Sequence, residues 1–182
     1  MGKTTTAEMF RDEGVPVWDA DAAVHRMYER GGAAVAAIAR LHPDVVMNGA
    51  VDRGALKKWI SSDPTALTRI EAVVHPLLAK DREAFLRGLE TDIAVLDFPL
   101  LYETGADALV DLVAVVSVPE EVQRERILKR GKMDPAMLET ILAKQMPDSD
   151  KRARADVVIE TTSMETARQA VRAMLERIRN NA

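Results

Sequence analysis

The stretch Leu112-Val113-Ala114-Val115-Val116-Ser117-Val118-Pro119-Glu120-Glu121 decides the fold class. Its first seven residues are apolar except for one serine, and four of them are valine. A run without polar alternation is what a strand buried on both faces requires, as in a parallel sheet. Proline then closes the strand. Two glutamates behind it suit the positive end of a helix, which predicts a helix over Pro119 to Lys129.

Outward from this unit the pattern repeats. Val15-Pro16-Val17-Trp18, between Gly14 and Asp19, reads as a strand, as do Ile93-Ala94-Val95-Leu96 before Asp97 and Val157-Val158-Ile159. Helical patterns lie between them. Lys3 to Asp12 puts Met9 and Phe10 to one side and stops before Gly14, and a closing amphipathic helix runs from Ser163 and Thr166 to Ile178. Strands alternating with helices predict an α/β fold with a parallel sheet.

Two segments interrupt the alternation. The stretch 31–89 reads as a mostly helical subdomain, with breaks at Gly31-Gly32, Pro43, Asn48-Gly49, Asp63-Pro64 and Pro76. The stretch 131–150 is a second, polar and basic insertion. The expected organisation is a core of residues 1–30, 90–130 and 151–182, a helical subdomain over 31–89 and a flap over 131–150.

Composition narrows the class of function. The 182 residues are 47% apolar and 30% charged, enough for a packed core and unlike a disordered chain. The net charge of −4 argues against a partner bound through many phosphates of a nucleic acid and favours a small molecule. No cysteine is present, which excludes disulfides, thiolate catalysis and thiolate zinc sites. No apolar run reaches the roughly 18 residues of a membrane span, and the N-terminus has no apolar signal-type segment. A soluble cytoplasmic protein, a monomer or small homo-oligomer without membrane contact, is the expectation.

Chemistry enters at the first residues. Met1-Gly2-Lys3-Thr4-Thr5 supplies the last three positions of G-x-x-x-x-G-K-[ST], followed by a helix. In that motif the lysine reaches the β- and γ-phosphates, the hydroxyl ligates Mg²⁺ and the helix N–H groups face the anion. The motif's first glycine and its strand are not in the sequence. They would occupy roughly ten residues ahead of Met1, and the chain without them is expected to hold ATP poorly. The plain alternative is a solvated start.

Acidic and basic groups follow the strand candidates. Asp19-Ala20-Asp21 follows the first, where ligands gather in doubly wound sheets. Either carboxylate suits a base for a hydroxyl or a water-mediated hold on Mg²⁺, and either equally suits a helix cap. On a strand end the two share one face. Asp97-Phe98-Pro99-Leu100-Leu101-Tyr102-Glu103 puts an aspartate after a buried strand, the place of an acid near Mg²⁺, or else a simple strand-end turn. His75-Pro76-Leu77 reads as a junction between two helices. Gln123, Arg126 and Arg130 share a helix face, and with Lys129 and Lys132 they suit a lid that neutralises transferring phosphate, or a solvated face balanced by Glu120, Glu121 and Glu125.

Taken together, Gly2-Lys3-Thr4-Thr5, Val17-Trp18-Asp19-Ala20-Asp21, His75-Pro76-Leu77, Asp97 to Glu103, Gln123, Arg126, Arg130, Gln145 and Ala155-Asp156-Val157-Val158-Ile159 resemble dephospho-CoA kinase in order and spacing along the whole chain. The resemblance implies a P-loop kinase core, a CoA-binding helical insertion over 31–89 and a lid over 131–150. It implies ATP with Mg²⁺, and transfer to the ribose 3′-hydroxyl of dephospho-CoA in the last step of CoA biosynthesis. By resemblance Asp21 is the base and touches substrate, while Gly2, Lys3, Thr4 and Thr5 hold phosphate. Thr4 and Asp97 serve Mg²⁺ and Arg130 the lid, and His75, Pro99, Leu100 and Glu103 meet the substrate. The chain departs from the family at Gly131-Lys132, where an acid usually follows the lid arginine, and at Thr161-Thr162, where Asn or Gly is common. Another small-molecule P-loop kinase, or an inactive substrate-binding protein, shares part of these motifs.

Overall fold

The computed structural model describes residues 2–129 and 145–181. In chain order the elements are α1 (Lys3–Asp12), β1 (Val17–Asp19), α2 (Ala20–Tyr28), α3 (Val35–Leu41), β2 (Val46–Met47), β3 (Ala50–Val51), α4 (Arg53–Ser62), α5 (Ala66–Arg87), β4 (Val95–Asp97), β5 (Ala114–Ser117), α6 (Glu120–Lys129), α7 (Asp148–Arg154), β6 (Val157–Glu160) and α8 (Met164–Asn181). They pack as two compact units, one of Met1–Val17 with Phe98–Ala182, the other of Trp18–Asp97. The second unit contains the whole stretch 31–89.

In the first unit β5 pairs in parallel with β6, from Ala114 opposite Val157 to Ser117 opposite Glu160. α8 packs on β6 and also meets α1. The reason is its spacing: Ala167, Val171 and Leu175 recur every fourth residue and are all buried. They close over Ile159 and the Met9–Phe10 side of α1, also buried. Fully burying one such aliphatic side chain contributes about 1.5–3 kcal/mol. Ser163 caps α8 as its position predicts, its Oγ accepting the Thr166 N–H at 3.0 Å. Two ion pairs seal the rim of the α1–α8 contact, Arg168 to Asp12 at 3.1 Å and Arg172 to Glu13 at 2.7 Å.

The second unit is mostly helical. α2 and α3 pack on α5, and α4 joins them, around Ala23, Ile38, Ile70 and Val74. Two sequence expectations change here. Asn48-Gly49 is a hairpin turn between β2 and β3 and not a bare break. Both residues have positive φ, 51° and 77°, as a two-residue turn matched to strand twist demands. Pro76 interrupts nothing: α5 runs through it for 22 residues. A proline removes one donor and crowds the carbonyl four residues back, but Ile70 and Val74 are buried ahead of it and Asp81 is bonded to Trp18 and Arg26 beyond it, so the helix is anchored on both sides.

β1 neighbours β4. Both begin two residues later than expected and end on an aspartate, Asp19 and Asp97. The acids therefore close the strands instead of following them.

Candidate active site

α1 starts directly at Lys3, and Gly2 before it has φ 95° and ψ 13°. That left-handed conformation is open to glycine at little cost. A second constraint adds to it, since a Cβ on Gly2 would stand 3.2 Å from Thr161 Oγ1. Thr161 is brought there by the end of β6, its N–H donating to the Ser117 carbonyl at 3.0 Å. The Gly2 carbonyl accepts from the Thr6 N–H at 2.9 Å and the Thr6 hydroxyl at 3.1 Å. The backbone N–H groups ahead of Thr6 thus precede the first intrahelical donor and lie at the helix start, the end of a helix that favours an anion. No acidic residue lies in this first turn to oppose one. The Thr4 side chain is exposed.

At the end of β1 the two aspartates separate in role. Asp19 is extended and caps α2, its Oδ1 accepting the Ala22 N–H at 2.9 Å. Asp21 lies in the first turn of that helix and is exposed. The expectation that they share a strand face fails because Asp21 is helical, and residues two apart on a helix point different ways. Trp18, buried just before them, donates its indole N–H to Asp81 at 2.8 Å, and Arg26 reaches the same carboxylate oxygen at 3.0 Å. His75 is exposed in the middle of α5, within one helix and not between two. Asp97 closes β4 and is buried.

Beyond β4 the motif Pro99 to Glu103 coils into a helical turn, with the Thr104 N–H on the Leu100 carbonyl at 3.0 Å and the Ala106 N–H on the Leu101 carbonyl at 2.9 Å. Pro99 and Leu100 are exposed. Glu103 has two partners of its own: its Oε1 meets Lys151 Nζ at 2.8 Å and accepts the Met146 N–H at 3.0 Å. The two side chains are only 13% and 18% exposed, for Lys151 and Glu103 respectively. Burial by itself would push the Glu103 carboxyl up, but the Lys151 bond and the backbone N–H bonds together outweigh it and hold the group below its ordinary value. The same turn carries Tyr102, whose ring lies 4.2 Å under the Arg154 guanidinium. Arg154 also pairs with Asp107 at 2.9 Å. Burial raises the Tyr102 phenol, with Arg154 acting against it. A third tie is the Ser117 hydroxyl, which donates to Asp148 at 2.6 Å. α7 is thus stitched to both the turn and β5.

Arg130 and residues 131–144 of the expected lid lie outside the described residues, as does the side chain of Arg126. Among the described residues no group of three or more His, Asp or Glu side chains converges to hold a metal ion. Mg²⁺ keeps several waters and takes phosphate oxygens, so a hydroxyl such as Thr4 and a carboxylate such as Asp97 are the hard-oxygen donors that suit it.

The motif order agrees with comparisons to known proteins. A model of the dephospho-CoA kinase family matches residues 1–166. A dephospho-CoA kinase from Cereibacter sphaeroides is 57% identical over 182 residues, all of this chain and 92% of that protein. The chain belongs to the dephospho-CoA kinase family. A second dephospho-CoA kinase, from Ruegeria pomeroyi, is 53% identical over 179 residues, 98% of this chain and 91% of that protein. A crystal structure of a Thermus thermophilus protein matches with a TM-score of 0.84 at 33% identity, over 97% of this chain and 91% of that one. The dephospho-CoA kinase from Campylobacter jejuni, 22% identical, shares the fold with a TM-score of 0.74 over 100% of this chain and 94% of its own.

As a dephospho-CoA kinase by family, the chain is an ATP-using phosphotransferase of the final step of CoA biosynthesis. Among the described residues no helix is long and apolar enough to cross a membrane. Sequence reading missed three residues around the dephospho-CoA kinase motifs: Asp81 under Trp18, Lys151 on Glu103 and Thr161 against Gly2. Only the first left a signal, since a buried indole N–H needs an acceptor, and nothing along the chain says which.

Proposed function

We propose that Asp21 is the base that draws the proton from the ribose 3′-hydroxyl of dephospho-CoA while that oxygen attacks the γ-phosphorus of ATP. The bond from the γ-phosphorus to the bridging oxygen breaks, and ADP leaves with the electron pair. The N–H groups at the start of α1 and the Lys3 ammonium hold the phosphates, with Gly2 allowing close approach. Thr4 and Asp97 hold Mg²⁺, directly or through water; when bound, the ion neutralises charge on the phosphate oxygens. Arg130, immediately ahead of the lid of residues 131–150, meets charge on the transferring group, so its removal lowers kcat more than it weakens substrate binding.

The helical stretch 31–89 serves as the CoA-binding subdomain, with His75 as a substrate contact. Pro99 and Leu100, both exposed, meet the substrate from the turn after β4. Glu103 meets the substrate beside them, and its bonds from Oε1 to Lys151 and the Met146 N–H also hold that turn in shape. The reaction belongs to the cytoplasm, where ATP is supplied, in a monomer or small homo-oligomer.

One observation carries the assignment of the base. Asp19 is occupied by the Ala22 N–H at 2.9 Å, whereas the Asp21 carboxylate in the same junction is exposed. Asp21→Asn keeps the shape and removes the charge. Turnover at saturating ATP and dephospho-CoA is expected to collapse in Asp21→Asn and largely survive in Asp19→Asn; the reverse pattern overturns the assignment.

A further inference from the structure

We infer that Asp81, on α5, is a positioning residue of the acceptor site: one of its carboxylate oxygens holds both arms of the β1–α2 junction and so sets where Asp21 is presented. This rests on the reading of Asp21 as the base.

The placement of Asp81 is unusual for its chemistry. Ala66, Ile70, Val74 and Leu77 lie along α5 at spacings of four, four and three, and the first three are buried. Asp81 comes four residues after Leu77 and continues that stripe. An apolar residue is the ordinary occupant of such a position. A half-buried carboxylate there needs donors, and it has two. The Trp18 indole N–H donates to Oδ2 at 2.8 Å from a residue only 4% exposed. Arg26 donates to the same oxygen at 3.0 Å.

The two donors come from the two sides of one joint. Trp18 is the middle of β1, and Arg26 lies in the last turn of α2. The strand passes into the helix at Asp19 and Ala20 with no loop between them. Anchoring both arms on one atom fixes the angle of the joint. Asp21 sits between the anchors, three residues after Trp18 and five before Arg26. The Trp18 anchor dominates, because Arg26 is 56% exposed and an exposed ion pair is weak. A base that must reach a hydroxyl within hydrogen-bond distance is sensitive to such an angle, since a misplacement of about 1 Å can cost about 10²-fold in rate.

The test is a double-mutant cycle between Asp21→Asn and Asp81→Leu, with kcat and both KM values measured for the four proteins. Leucine completes the apolar stripe and removes both anchors. Asp81→Leu is expected to lower kcat about tenfold or more while the KM for ATP stays within about twofold. In the Asp21→Asn background the same change is expected to cost less than about twofold, because nothing remains to be aimed. An equal loss in both backgrounds, or no loss in either, overturns the proposal. If Asp21→Asn alone keeps parental turnover, it is the base reading that has failed. The clamp is then judged on the KM for dephospho-CoA: a rise of about tenfold in Asp81→Leu with the KM for ATP unchanged sustains it, and an unchanged value overturns it. Should Asp81→Leu not fold, Asp81→Asn replaces it in the cycle, keeping an oxygen for the indole and giving a smaller loss of the same pattern; its absence overturns the proposal.

Discussion

At the end of β1, Asp19 turns inward to cap a helix and Asp21, two residues on, stands exposed. At the end of β4 the order is inverted. Asp97 is the buried residue on the strand itself, and the more distant acid, Glu103, is drawn into a bond with Lys151 at 2.8 Å. Both strand ends carry two acids in a motif. What differs is the element that follows. A helix that starts immediately consumes the nearest acid as its cap and leaves the next one exposed. A turn that must be fastened to a distant segment consumes the far acid as its anchor. In each of these two motifs one carboxylate serves the structure, and the element that follows the strand chooses which.

The comparison breaks or holds first on Asp21. Asp21→Asn is expected to lower kcat by about 10²–10⁴, and its melting temperature is expected to stay near that of the parent, since no structural bond is lost. A parental kcat would return Asp21 to a solvated surface position.

The next effect is at the other strand end. Lys151→Met removes the cation from a carboxylate that is only 18% exposed, and a loss of about 1–2 kcal/mol is expected in denaturant unfolding, between an exposed pair and a fully buried one. A midpoint equal to the parent's would mean that Glu103 is held by backbone N–H groups alone.

Asp19→Ala tests the structural acid of the first pair. It is expected to cost about 1 kcal/mol of stability, the usual worth of a helix cap, with kcat much less affected than in Asp21→Asn. A larger loss of turnover than in Asp21→Asn would exchange the two roles.

The smallest effect is in pH. Glu103 has a folded pKa below its unfolded value, which is about 4.3. Its pairing therefore contributes fully above that value and is lost as the pH falls through the lowered one. Stability measured from pH 6 downward to about 3 is expected to fall less steeply in Lys151→Met than in the parent, because the variant has little pairing left to lose. Identical acid limbs would separate Glu103 from the acid response.

Much of this arrangement is legible along the chain. The Lys3–Asp12 helix starts and stops where its glycines place it, and the valine-rich run at 112–118 contains a strand of the parallel pair. Asn48-Gly49 was readable as a turn, but its short flanks hid the hairpin. His75-Pro76 misleads because proline is a strong local breaker, and only the tertiary ties of α5 before and after it, at Ile70, Val74 and Asp81, show why the helix continues. At the candidate site the motif residues were legible, but their partners were not. Lys151 lies 48 residues from Glu103 in sequence, Asp81 lies 63 from Trp18, and Thr161 lies 159 from Gly2.

By itself the sequence determined the alternation of strands and helices, the Gly2-Lys3-Thr4 motif at the start of α1 and the family, because these depend on local periodicity and on residue types at short fixed spacings. Tertiary structure decided which acids are spoken for. A carboxylate's availability depends on the donors that surround it, and at Glu103 and Asp81 those donors arrive from segments that only folding brings near.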